Sequence, residues 1–140
     1  RLERRGLLHA TLEIPGHTDP LHAICVHLGL FENDRRSQLN QLCRRLQTMA
    51  PGSSPVIVGG DFNDWRERVS PALKAKVGLD EAFLSRTGDH ARTFPSWLPA
   101  LKLDRLYFRG LRCQGAQLAV GNQWRALSDH LPIVADFTLG

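Results

Sequence analysis

Two apolar, strand-sized runs bracket one amphipathic stretch, and that order narrows the folds open to this chain more than any other feature. Residues 21–28 are apolar at both alternating sets of positions, which predicts a central strand. Asn33 or Asp34 can cap a helix over residues 35–50, where Leu39, Leu42, Cys43, Leu46 and Met49 recur at helical spacing. Pro51-Gly52-Ser53-Ser54 stops that helix, and Pro55-Val56-Ile57-Val58-Gly59 follows as a short buried strand. Strand, helix and strand at this spacing predict a βαβ unit. Upstream, residues 5–14 alternate, with Leu8, Ala10, Leu12 and Ile14 on one face. The turn at Pro15-Gly16-His17-Thr18-Asp19-Pro20 joins that strand to residues 21–28 as an antiparallel hairpin. Parallel and antiparallel pairings together give an α/β chain built on a mixed sheet with flanking helices.

Beyond residue 60 the pattern is weaker. Residues 61–70 read as a polar loop, 71–77 as a short helix with Pro71 in its first turn, and 79–84 as ambiguous. Residues 85–100 read as a loop, 102–109 and 112–120 as a strand pair, 121–130 as a loop and 131–139 as a closing strand. With 140 residues, this is one unit without an interdomain linker. No apolar run reaches the ~20 residues of a membrane helix. Cys25, Cys43 and Cys113 are odd in number and form no Cys-x-x-Cys, so free structural thiols and a reducing, cytoplasmic compartment are expected. A formal charge of +4 suits an anionic partner without selecting one.

Titratable residues collect where the strands end: His27 after Cys25-Val26, Asp61-Phe62-Asn63-Asp64 after Gly59-Gly60, Asp104 after Leu103, and Asp129-His130 after Ser128. Strand-end loops are where α/β folds build sites. Carboxylates, an amide and imidazoles suit a hard cation and a phosphate better than they suit a core. Singly, each has a structural alternative. Asp61 and Asn63 can form turns, and His27 can be a satisfied strand-end histidine. Asp104 can pair with Arg105, and Asp129-His130 can cap the turn before Pro132. Trp65, Trp97 and Trp124 can stack a substrate or pack beneath loops.

Jointly, the order His27, Gly60-Asp61-Phe62-Asn63, Leu103-Asp104-Arg105 and Ser128-Asp129-His130 resembles the endonuclease/exonuclease/phosphatase superfamily of deoxyribonuclease I-like metal-dependent phosphoesterases. Arg35-Arg36-Ser37-Gln38 is similar to its R-x-x-Q stretch, and the run from Thr93-Phe94-Pro95-Ser96-Trp97 to Leu103-Asp104-Arg105 resembles a bacterial branch. The resemblance implies half of a four-layer α/β/β/α sandwich, with residues 1–140 forming the C-terminal half of the catalytic domain. The Asn and metal-binding Glu of the family's first half have no counterpart in this chain. It also implies hydrolysis of phosphate esters by activated water, as a phosphodiesterase, nuclease or phosphatase.

The implied roles go position by position. Asp61 orients or deprotonates the attacking water and shares the metal with Asp129. Asn63 hydrogen-bonds the phosphate. His130 contacts the phosphoryl group or acts as base, with Asp104 as its carboxylate partner. His27 works toward the leaving group or the phosphate. The implied cofactor is Mg²⁺, with Mn²⁺ as the alternative. The implied substrate is nucleic acid or a phospholipid or inositol head group. Arg66, Arg68, Arg105, Arg109 and Arg125 are candidates for a basic groove. The helix over 35–50 can cover only one sheet face, so the other is expected against the missing N-terminal half or a second copy. On this reading hydrolysis requires the missing N-terminal half, so the 140-residue piece is expected to be inactive alone; the competing reading is a non-catalytic interaction module that uses the exposed face.

Overall fold

The hairpin and the βαβ unit share a strand, and the sheet grows outward from it. In the computed structural model, which describes residues 6–140, β1 (Leu7–Leu12) runs antiparallel to β2 (Leu21–His27). Arg5, assigned to this first strand from the sequence, lies outside the described residues. β2 passes through α1 (Glu32–Met49) to β3 (Val56–Asp61), which lies parallel to it. α2 (Val69–Val77), the short β4 (Asp80–Glu81) and α3 (Ala82–Thr87) follow. β5 (Asp104–Arg109) then inserts antiparallel between β3 and β4, giving a five-stranded mixed sheet in the order β1-β2-β3-β5-β4. β6 (Leu111–Leu118), α4 (Asn122–Leu127) and β7 (Ile133–Leu139) end the chain, with β6 and β7 forming a separate antiparallel ribbon. Among the described residues no helix is long and apolar enough to cross a membrane.

The two faces of the main sheet differ. On one face Ile24, Val26, Val56, Val58 and Tyr107 pack against Leu39, Leu42, Cys43 and Leu46 of α1 and Val69, Leu73 and Val77 of α2. The other face is covered only at its β5 side, where Leu106 and Phe108 meet Phe83 of α3 and Leu111, Cys113 and Phe137 of the ribbon. At the β1–β2 side it is bare: Leu8 is 72% exposed, Leu12 49%, and Cys25 is exposed.

Four expectations need correction. α1 starts at Glu32, with Phe31 at its N-cap position and no side-chain cap. Asn33 and Asp34 therefore lie inside the first turn, where the Glu32 and Asp34 carboxylates face the positive end of the helix dipole. α2 starts at Val69 rather than Pro71, because the Asp64 carboxylate reaches forward to accept the amides of Arg68 and Val69. The segments read as ambiguous or loop hold α3 and α4. The strands expected over 102–109 and 112–120 both form, as β5 and β6, but they do not pair with each other. Gly110, at φ +71°, turns the chain hard against Pro55 and sends β6 away from β5 into the ribbon.

Candidate active site

Strand register places three of the titratable side chains together. His27 is the register partner of Asp61, and Asp61 of Asp104. Directly paired residues point to the same side, so all three stand at one end of the partly bare face. β3 reaches this point only through Gly60. Its φ is +142°, and a Cβ there would lie 1.9 Å from the carbonyl oxygen of Val26. Beyond the strand Asn63 sits at φ +47°, donates its backbone N–H to Asp61 Oδ1 at 2.9 Å, and is buried. Its Nδ2 donates to the carbonyl of Leu28 at 2.6 Å, tying the loop after β3 to the loop after β2.

His130 enters from the loop between α4 and β7. Its Nδ1 lies 2.7 Å from Asp104 Oδ2, and its Nε2 faces Asp61 Oδ2 at 3.9 Å. The Asp104 bond assigns the proton to Nδ1, leaving Nε2 toward Asp61. His27 Nε2 approaches the same Asp61 oxygen at 3.5 Å. Burial pushes the Asp61 carboxyl up, helped by the Asp104 charge and opposed by the Asn63 amide and both histidines; the net shift is upward. Burial alone would lower His130, but the Asp104 hydrogen bond and the charges of Asp104, Asp61 and Asp129 outweigh it and hold the imidazole above its ordinary value. Asp129 is exposed, and its backbone carbonyl accepts the amide of Ser96.

Ligand atoms of Asp61, Asp104 and His130 all lie within 4.8 Å of one another. Asp104 Oδ2 and His130 Nδ1 are engaged with each other, and Asp61 Oδ1 accepts the Asn63 amide, which leaves Asp61 Oδ2 and His130 Nε2 facing the open end. A hard cation that keeps several waters and takes few protein carboxylates fits this donor set.

The sequence-predicted basic groove comes apart. Arg105 is fully buried on the helix-covered face. Its Nη1 meets Asp64 Oδ2 at 3.3 Å and the Tyr107 hydroxyl at 3.1 Å, and its Nη2 donates to the carbonyls of Asp64 and Lys102. The alternative of a local Asp104–Arg105 ion pair does not hold, because the two side chains lie on opposite faces, Asp104 with His130 and Arg105 with Asp64. Arg109 is likewise drawn inward, to the carbonyls of Val77 and Ala50. Arg66 and Arg68 stay outside, with Arg66 over the Trp65 ring at 4.8 Å and both arginines against Glu32. Trp65 and Trp97 are exposed.

Residues the sequence did not single out for the site also reach it. Thr93 donates its hydroxyl to Asp104 Oδ2, and the Phe94 ring lies 4.9 Å from that of His130. Both stand in the Thr93-Phe94-Pro95-Ser96 motif, whose hydroxyls and aromatic ring were the only signal available before folding.

The model of the Endonuclease/Exonuclease/phosphatase family matches residues 3–130. "Uncharacterized protein YbhP" of Escherichia coli (strain K12) is 41% identical over 137 residues, covering 98% of this chain and 54% of the relative. The chain thus spans about half the length of the curated relatives it matches most fully. Among solved structures, the endonuclease/exonuclease/phosphatase from Bacteroides vulgatus superposes with a TM-score of 0.78 at 19% identity, over 97% of this chain and 56% of that one. D. rerio TDP2 complexed with single strand DNA product gives a TM-score of 0.73 at 21% identity, over 96% and 62%. These likenesses are of fold.

Proposed function

The chain belongs to the Endonuclease/Exonuclease/phosphatase family, and from that premise we propose that the whole protein is a metal-dependent phosphoesterase of which this chain is the C-terminal half of the catalytic domain. The observation that carries the reading is the line Asp104–His130–Asp61, 2.7 Å and then 3.9 Å, at the open end of the sheet.

Asp61 is the group that orients and deprotonates water: one of its oxygens is fixed by the Asn63 amide and the other faces His130 across the open end of the sheet. His130, its Nδ1 proton given to Asp104 and its ring held toward the protonated form, turns Nε2 to the phosphoryl oxygens. Asn63, pinned by Leu28, supplies a fixed amide, and His27 lines the same end of the face near the leaving group. Asp61 and Asp129 would hold Mg²⁺ (or Mn²⁺) together with donors from the rest of the protein. When bound, that ion supplies positive charge to the phosphoryl oxygens and acidifies water. Phosphoryl transfer asks chiefly for such positioning and charge, and little covalent chemistry.

The bare β1–β2 face, with Leu8, Leu12 and Cys25, takes the remaining half of the same protein. A self-paired dimer is the competing outcome, and sedimentation of the 140-residue chain separates the two. The substrate is a phosphate ester: nucleic acid, or a phospholipid or inositol head group. Full-length protein assayed with and without Mg²⁺ on DNA, RNA, phospholipid and phosphoinositide tests the reading. Mg²⁺-dependent hydrolysis of at least one class is expected, and none from the full-length protein overturns it.

A further inference from the structure

His130 sits in a poor place for a residue that must hold still. It follows a six-residue helix with no buried residues, and Leu127, Ser128 and Asp129 before it are all exposed. A loop with so little buried apolar contact opens easily unless it is tied from elsewhere. The ties come from one short segment. Thr93 accepts the amide of Leu131 on its carbonyl at 2.8 Å. Ser96 donates its backbone N–H to the carbonyl of Asp129 and its hydroxyl to the carbonyl of Ser128, each at 2.7 Å. The segment therefore grips the backbone on both sides of His130. It also touches the ring, because Phe94 lies against it, and it holds the ring's partner, because the Thr93 hydroxyl shares Asp104 Oδ2 with His130 Nδ1.

The segment is itself fixed. Thr93 is fully buried and Ser96 is 2% exposed. The amides of Thr93 and Phe94 both donate to the carbonyl of Leu101, which closes the loop on itself. Buried hydroxyls of this kind are costly to leave unpaired, so each one is a strong restraint on the geometry of its acceptor.

We infer that residues 93–96 form a positioning bracket for the catalytic dyad, with Thr93 and Ser96 as positioning residues. Thr93 aims the Asp104 carboxylate, and Ser96 fixes the loop that carries His130. This rests on the phosphoesterase reading for its consequence in turnover, but not for its geometry. A free carboxylate rotates about its last torsion. With the Thr93 hydroxyl on Oδ2, that oxygen stays directed at Nδ1, and Nε2 stays directed at Asp61. Neither residue has to touch substrate for this to act.

The test uses full-length protein with bis(p-nitrophenyl) phosphate as the probe and four variants: Thr93→Val, Thr93→Ser, Ser96→Ala and the Thr93→Val/Ser96→Ala double. Thr93→Val keeps the branched shape and removes the hydroxyl. It is expected to lower kcat by about 10–100-fold, the range for groups that orient a working side chain, with KM within about twofold. Thr93→Ser restores most of the loss, and the double variant loses less than the product of the two singles, because both act through His130. A readout independent of turnover is the downfield proton resonance of His130 Nδ1–H. It should move or broaden in Thr93→Val and Ser96→Ala and return in Thr93→Ser. An unchanged resonance in Thr93→Val, or Thr93→Ser as slow as Thr93→Val, overturns the bracket. If wild type hydrolyses neither this probe nor any substrate of the panel above, the phosphoesterase reading fails while the resonance still decides this one. If Thr93→Val does not fold, Ser96→Ala and Thr93→Ser carry the same comparison.

Discussion

Asp104 and Arg105 are neighbours on one strand and belong to different parts of the protein. Arg105 points to the helix-covered face, where its guanidinium is fully buried and meets Asp64. Asp104 points to the other face, where its partner His130 keeps a side-chain exposure of 28%. The Arg105–Asp64 pair is a buried anchor that cannot lose one member cheaply, whereas the Asp104–His130 pair stands half open, where solvent can reach it. Strand alternation thus lets one hexapeptide hold the fold and offer chemistry without either role compromising the other.

This contrast can be broken most severely on the open side. In full-length protein Asp61→Ala and His130→Ala are each expected to reduce turnover by about 10²–10⁴-fold, with little change in melting temperature. Wild-type-like rates in both would remove them from the mechanism. On the covered side Arg105→Met leaves the Asp64 carboxylate buried without its cation and is expected to cost about 3–5 kcal/mol of stability by denaturant titration. A cost below about 1 kcal/mol would show that the amides of Arg68 and Val69 satisfy Asp64 alone.

A smaller effect tests what lies against the bare face. In full-length protein Leu8→Ala is expected to cost about 2 kcal/mol, the value for a leucine in a core; a change within about 0.5 kcal/mol would mean that Leu8 faces water there too. The smallest effect is on protons. Asp104→Asn removes a charge and a hydrogen bond that raise His130, so its NMR titration midpoint should fall. A base raised in the fold stabilises the native state below its ordinary pKa near 6.5 and loses that contribution as pH rises through the folded value. Stability of Asp104→Asn should therefore depend less on pH from about 6.5 upward than that of wild type. An unshifted midpoint would mean that Asp61 and Asp129 set the His130 pKa by themselves.

Residues 6–61 were largely legible because each element there carries its own signal. β2 and β3 are short apolar runs, α1 has a clean stripe, and Pro15-Gly16 and Pro51-Gly52 mark the breaks. Family order rather than periodicity brought Asp61, Asp104 and His130 onto one reading, and the register shows the physical reason for His27, Asp61 and Asp104 to be neighbours. Of the later elements α2, β5, β6 and β7 were read close to where they lie, whereas α3, α4 and the pairing of β6 with β7 were not. Residues 102–109 and 112–120 read as a strand pair, and nothing local says that Gly110 between them is crowded by Pro55 and that the strands part. Arg105 and Arg109 read as surface charge because most of their acceptors lie far away in the chain: the carboxylate and carbonyl of Asp64 for Arg105, and the carbonyls of Val77 and Ala50 for Arg109. The motif holding Thr93 and Ser96 was visible but the place of those two hydroxyls was not, since their partners lie 11 and 32 residues on.

Gly60 sets a manufacturing tolerance for the whole cleft. A Cβ at that position would stand 1.9 Å from one backbone oxygen and 2.9 Å from its carbon, and the backbone there is at φ +142°. Neither obstacle is a side chain that could swing aside, so even alanine would force β3 away from β2 by a substantial part of an atomic diameter. Asp61 is the next residue, and its distances to His27 and His130 would open together. Catalytic distances tolerate little such slack, since a misplacement of about 1 Å can cost about 10²-fold in rate. Screens of variants that score only expression or solubility would overlook this position, because a chain with two sheet strands slightly parted can still fold while its working groups no longer meet.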